Sequence, residues 1–166
     1  MHTKMILTAL ALVLSPPALG DDAPIVEAFH GRWVSDGDAL GAPARSTMTW
    51  SGALGGAFTH LDYRIEMRPA GAPPSVFAGK AYYRHDGDGA YRAFWADSYG
   101  DLHPVAAVRD GPALVAHWGR AGAKQGRTRY ELTAGDEMRV TDWVLTDDGW
   151  RMFNQNRFTR APAGGE

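Results

Sequence analysis

From Gly31 to Arg160 the chain never runs far without interruption: short stretches rich in Thr, Val, Tyr, Phe and Trp alternate with clusters of Gly, Pro and Asp. This punctuation constrains the fold more than any other feature. Stretches of that length and composition suit a pleated, half-buried surface, and the clusters supply residues that tolerate the positive φ of tight turns. The spacing predicts ten strands: Gly31 to Gly37, Arg45 to Gly52, Ala57 to Arg68, Ser75 to His85, Ala90 to Ser98, Asp101 to Arg109, Pro112 to Gly119, Arg127 to Thr133, Glu137 to Thr146 and Trp150 to Arg160. Asp86-Gly87-Asp88-Gly89, Asp110-Gly111, Ala134-Gly135-Asp136 and Asp147-Asp148-Gly149 are the turns between them. One short segment, Pro24 to His30, reads as helix. Consecutive hairpins leave no room for a parallel crossover, and a long meander hides its two edges most economically by closing on itself. The expected fold is all-β: a closed, antiparallel, up-and-down barrel of about ten strands with a short N-terminal helix.

At 166 residues and 18.0 kDa, with 45% hydrophobic and 22% charged residues, the chain fits one packed domain. Met1 to Gly20 places Lys4 before the apolar run Met5 to Leu14, then Ser15-Pro16-Pro17 and the small-residue pattern Ala18-Leu19-Gly20. These are the parts of a secretory signal peptide, and the run is far shorter than the roughly 20 residues that a bilayer-spanning helix needs. The expected organisation is a leader over 1–20, a barrel domain over 21–160 and a disordered tail over 161–166. The mature protein is then secreted, or periplasmic in a bacterium, with no membrane span. Net charge is −2, or −3 once Lys4 leaves with the leader, so no basic surface points to nucleic acid. With no Cys, disulfides, thiolate metal sites and cysteine nucleophiles are excluded.

Strand alternation picks out the candidate site residues. Phe58 to Glu66 puts His60, Asp62, Arg64 and Glu66 on one face. That face either presents His60 to a polar ligand or is solvated, with Leu61, Tyr63 and Ile65 inside. His117 stands in the apolar run Leu114 to Trp118, either as a lumen group or as a hydrogen-bonded structural histidine; a general base there would need Asp97 or Asp142 beside it. Asp142 shares a side with Met138, Val140 and Val144, and Arg129 on the neighbouring strand is the expected partner for its charge. Of the tryptophans, Trp95 beside Asp97 and Trp118 beside His117 are the lumen candidates, since pockets join apolar walls to a few polar groups. Asn154 to Asn156 add neutral polar groups, of which alternation turns one or two inward. The candidate ligand contacts are therefore His60, Trp95, Asp97, His117, Trp118, Asp142 and Asn154.

Phe29-His30-Gly31-Arg32-Trp33 at the first strand, together with Asn154-Gln155-Asn156-Arg157-Phe158 in the last, resembles the lipocalin-like (calycin) barrels. In those barrels the first-strand Trp plugs the closed end and a basic residue of the final strand packs over the indole, which the resemblance assigns here to Trp33 and Arg157. The order of Trp50, Leu54-Gly55-Gly56-Ala57-Phe58, Tyr82-Tyr83-Arg84-His85-Asp86, Tyr91, Phe94 to Ser98, Arg127 to Leu132 and Trp150 to Arg160 is similar to the small nitrobindin-like, haem-binding barrels of unknown function. Those hold haem iron through a histidine near the C-terminal end. This chain has no histidine after His117, a departure that counts against haem.

No other cofactor is implied. His60-Leu61-Asp62 and His85-Asp86 offer donors without a third and fourth ligand at zinc spacing, and Asp86-Gly87-Asp88-Gly89 lacks the calcium-loop glycine where Tyr91 stands. Neither Gly-x-Ser-x-Gly nor a phosphate-binding Gly-Lys-Ser/Thr loop occurs. The leading expectation is a barrel that binds a small apolar or amphipathic molecule in its lumen without transforming it. A lumen-based isomerase, hydratase or hydrolase using His/Asp chemistry, and a barrel acting as a protein-interaction module, are the alternatives.

Overall fold

A computed structural model describes residues 24–133 and 136–162. The segment expected to be a leader, together with residues 21–23, 134–135 and 163–166, lies outside the described residues. A single helical turn, α1 (Ile25–Ala28), precedes ten strands: β1 (Gly31–Ala39), β2 (Ala42–Ala53), β3 (Phe58–Met67), β4 (Ser75–Gly87), β5 (Ala90–Asp97), β6 (Leu102–Asp110), β7 (Ala113–Gly119), β8 (Gln125–Leu132), β9 (Glu137–Thr146) and β10 (Gly149–Arg160). Each strand pairs antiparallel with the next, and β10 returns to β1, giving a closed up-and-down barrel. No helix among the described residues is long and apolar enough to cross a membrane.

The strands fall where the turn residues place them to within two residues, β4 running on to Gly87 and β8 starting at Gln125, except at the first hairpin, which differs most. The predicted gap between the first two strands shrinks to Leu40 and Gly41, both at positive φ (52° and 83°), so β1 and β2 run almost to the turn. Asp38 and Pro43, which read as loop punctuation, are a register pair at the end of this hairpin.

Alternation sorts the side chains. On β3, Thr59, Leu61, Tyr63, Ile65 and Met67 are buried inside while the intervening positions face out. The turns at β1–β2, β3–β4, β5–β6, β7–β8 and β9–β10 ring one end of the barrel; α1 lies at the other. There Ile25, Val26 and Phe29 are buried with Trp33, Trp50 and Phe158, and the Trp33 indole Nε1 donates to the Phe29 carbonyl at 2.7 Å. That end is filled, with Trp33 fully buried in it.

The cation over Trp33 is Arg160 and not Arg157. Arg160 is the register partner of Trp33, its guanidinium lies 4.1 Å from the ring, and it donates to the carbonyls of Ala28 (3.0 Å) and His30 and to Asp136 (3.1 Å). Arg157 alternates with the buried Phe158, so it faces outward beside Glu137 at 3.6 Å. Gly31 makes room for the clamp: it holds φ 119°, and a Cβ there would stand 2.9 Å from the Arg160 guanidinium.

Removing Arg160 forfeits the cation–π contact and several carbonyl bonds, whereas Arg157 is a surface ion-pair partner. Arg160→Ala should lower unfolding free energy by about 1–3 kcal/mol, and Arg157→Ala should stay within about 0.5 kcal/mol of the parent. Urea denaturation of both variants checks this, and equal losses would contradict the assignment of the clamp.

Candidate functional site: the open end of the lumen

Above the filled end the lumen widens into a cavity of about 200 Å³. Two tryptophan–glycine pairs shape its wall. Trp95 of β5 lies across Gly79 of β4, and Trp118 of β7 lies across its register partner Gly126 of β8. A Cβ on Gly79 or Gly126 would fall 2.0 or 1.9 Å from an indole carbon. The missing side chains let both rings lie against the sheet. Phe77, stacked on Trp95 at 6.2 Å, and Tyr99, 5.2 Å from Phe77, extend the aromatic wall toward the rim.

Both indoles direct their only proton to acceptors on the same wall. Trp95 Nε1 donates to Asp97 Oδ2 at 3.0 Å, while Asp97 Oδ1 accepts from the backbone N–H groups of Tyr99 and Asp101 at 3.0 and 3.3 Å and so shapes the β5–β6 turn. Trp118 Nε1 donates to Thr128 Oγ1 at 3.3 Å. The Thr128 hydroxyl passes the polarity on, donating to Asp142 Oδ1 at 2.7 Å, and Asn154 Nδ2 donates to Asp142 Oδ2 at 2.9 Å. The backbone N–H of Leu40 donates to Asn154 Oδ1 at 3.4 Å, which fixes the way that amide points.

Asp142 is partly buried on the cavity wall. Burial raises its pKa above the ordinary carboxylate range, against the lowering by the Thr128 and Asn154 bonds. Below it stand three phenols, Tyr63, Tyr83 and Tyr130, which burial pushes well above the usual tyrosine range. Tyr83 and Tyr130 are neighbours, each acting on the other's titration. Ser46 and Asn156 lie near the Tyr63 hydroxyl, but no bond of full geometry closes to it. At the mouth, His103 packs against Trp118 with the rings tilted, centroids 5.3 Å apart, and its Nε2 3.6 Å from Asp101, while Lys124 reaches Asp101 at 3.7 Å.

Trp95, Asp97, Trp118, Asp142 and Asn154 thus share one cavity wall. The two histidines placed with them do not. His60 faces outward against Tyr82 at 4.7 Å, with burial against that surface and Lys80 lowering its pKa and Asp62 opposing. His117 alternates with the buried Ala116 and is exposed, edge-on to Trp150 at 6.2 Å, so it meets neither Asp97 nor Asp142. Arg129 also faces out, bonded to Asp110 and 3.5 Å from Glu131, so Asp142 has neutral partners only. Trp50 is core, while Trp143 and Trp150 lie outside and sandwich Arg127 at 4.5 and 5.0 Å. His103, Lys124 and the phenols are additions to the site. Alternation with Val105 and Ala107 in the predicted strand carries the signal for His103.

The residues present do not fit haem. The cavity is smaller than the ~300–1,000 Å³ usual for cofactor and drug-sized pockets. The histidine on its wall, His103, is engaged at the mouth with Trp118 and Asp101. Comparison with protein-family models and with curated proteins finds no match.

Because Gly79 and Gly126 sit in ordinary strand conformation, alanine there strains no backbone and acts through the ring above it. Gly126→Ala should lift the Trp118 indole into the lumen, break its bond to Thr128 and cost roughly 1–3 kcal/mol of stability by overpacking. A variant with unchanged stability and unchanged Trp fluorescence would contradict this packing.

Proposed function

We propose that the protein is a carrier or sensor outside the cytoplasm, holding one small amphipathic molecule in its lumen without transforming it. The carrying observation is the aromatic-walled cavity open at one end of a barrel whose other end is filled. A ligand there meets flat apolar faces on Trp95, Trp118 and Phe77 and a few fixed polar groups, the mixture that small-molecule sites use. The filled end makes the site a cup and not a channel. Trp33 under a final-strand cation supports the likeness to lipocalin-like barrels, and the leader-like segment over 1–20 supplies the setting. The acid–base reading loses its two named histidines, since His60 and His117 face away from the lumen.

The test uses the full chain, exported by a bacterial host and taken from the periplasm or medium. Intact mass should place the new N-terminus at Asp21. Native mass spectrometry with a panel of single-ring apolar and amphipathic molecules should give a one-to-one complex, quenching Trp fluorescence. Ala116→Phe, at a buried position on the cavity wall, should fill the lumen and abolish it. Binding that survives in a folded Ala116→Phe protein belongs to the surface and would overturn the reading, as would a wild type that takes up none of the panel.

A further inference from the structure

The polar groups of the cavity are unevenly signed. Its wall carries three carboxylates, Asp97, Asp101 and Asp142, against one lysine, Lys124, and the imidazole of His103. Asp97 and Asp101 have company: the first takes an indole and two backbone N–H groups, and the second faces Lys124 and His103. Asp142 makes no ion pair among the described residues.

The wiring around Asp142 is nevertheless built for a negative charge. An indole is a donor only, so with Thr128 Oγ1 accepting from Trp118 the hydroxyl proton is turned to Asp142. Asn154 is held by the Leu40 N–H with its amide nitrogen toward the other carboxylate oxygen. Two donors converge on two oxygens, each with a further lone pair free to accept. Buried charge without a counter-charge is costly, and Asp142 stands on the cavity wall. A second acceptor stands on the same wall: the Tyr63 hydroxyl, in a side chain more than nine-tenths buried, closes no bond of full geometry.

Resting on the lumen-binding reading, we propose that the ligand is a small organic cation, an ammonium group on a short chain from one apolar or aromatic ring, with Asp142 as its counter-ion. An ammonium brings the missing charge and several donors, matching the free lone pairs of Asp142 and the Tyr63 hydroxyl. The aromatic faces of Trp95, Trp118 and Tyr63 attract the same charge. A carboxylate ligand would meet three like charges. Size agrees: an apolar cavity of about 150 Å³ takes benzene, and this one, at about 200 Å³, has room for a ring and a short chain.

Three probes of one shape separate the possibilities: 2-phenylethylamine, 2-phenylethanol and 3-phenylpropionate, titrated calorimetrically into the full exported protein at neutral pH. The amine should bind about tenfold or more tightly than either other probe. Asp142→Asn, which keeps the shape and removes the charge, should erase that preference while the alcohol binds as before. If the alcohol equals the amine, the carboxylate is preferred, or a folded Asp142→Asn protein keeps the amine preference, the cation assignment is overturned and lumen binding stands. If the folded wild type takes none of the three while other small amphipathic molecules bind in the lumen, the cation assignment alone falls; if nothing binds there, the lumen reading falls with it. The comparison on the wild type decides the matter even if the variant does not fold.

Discussion

The barrel depends on one clamp across its closing seam. β1 and β10 share only the register pairs Trp33–Arg160 and Val34–Thr159, whereas β1 and β2 are paired along their whole length. Arg160 lies over the Trp33 ring and holds the carbonyls just ahead of β1, so one side chain ties the last strand, the first strand and α1 together. A cation–π contact of about 0.5–2 kcal/mol is modest in the open. Here it acts beside hydrogen bonds at the place where ladder bonds are fewest. Toward the open end, side chains take over the joining: Asn154 Oδ1 accepts from the Leu40 N–H and from Asn156 Nδ2 at 3.3 Å. Asn154 also donates to Asp142, so the group that sews the seam orients the carboxylate of the cavity.

The cavity exists because two large rings are kept out of it. Barrels of about eight strands have an interior that side chains fill or that holds one small ligand, and diameter grows with strand number, so ten strands leave more room to fill. Trp95 and Trp118 would fill this one if they projected inward from the wall. Glycines on adjacent strands let them lie flat, and each indole N–H is satisfied sideways, by Asp97 or by Thr128. The same residues thus provide apolar surface and hold the polar groups in place. A ligand meets a site whose side chains are already ordered, which lowers the entropy cost of binding.

Strand number and order were legible because Gly and Asp mark nearly every turn, and the β1–β2 hairpin ran furthest beyond what its punctuation suggested. Asp142 was legible as a carboxylate among Met138, Val140 and Val144, a pattern that alternation turns inward. Trp95 and Trp118 stood out by their polar neighbours, although the feature that places them, a glycine across the strand pair, is a register relation invisible along the chain. Parity settles the rest. His117 is adjacent to Trp118 and therefore faces the opposite way; Arg157 likewise opposes Phe158, while Arg160 shares its side. His103 lies in a strand that was read correctly, and its inward side follows only from alternation with Val105 and Ala107. The partner of Asp142 was unreadable because Thr128 and Asn154 reach it from two neighbouring strands whose register the sequence does not state.

The six tryptophans report on three environments: Trp33 and Trp50 in the filled end, Trp95 and Trp118 on the cavity wall, and Trp143 and Trp150 outside. Their indole N–H signals in a nitrogen–proton correlation spectrum, followed while a small single-ring amphipathic molecule is added, locate its binding directly. The account predicts that the Trp95 and Trp118 signals move and saturate together while the other four stay in place. Movement confined to Trp143 and Trp150, or spread over all six, would contradict a site inside the open end of the barrel.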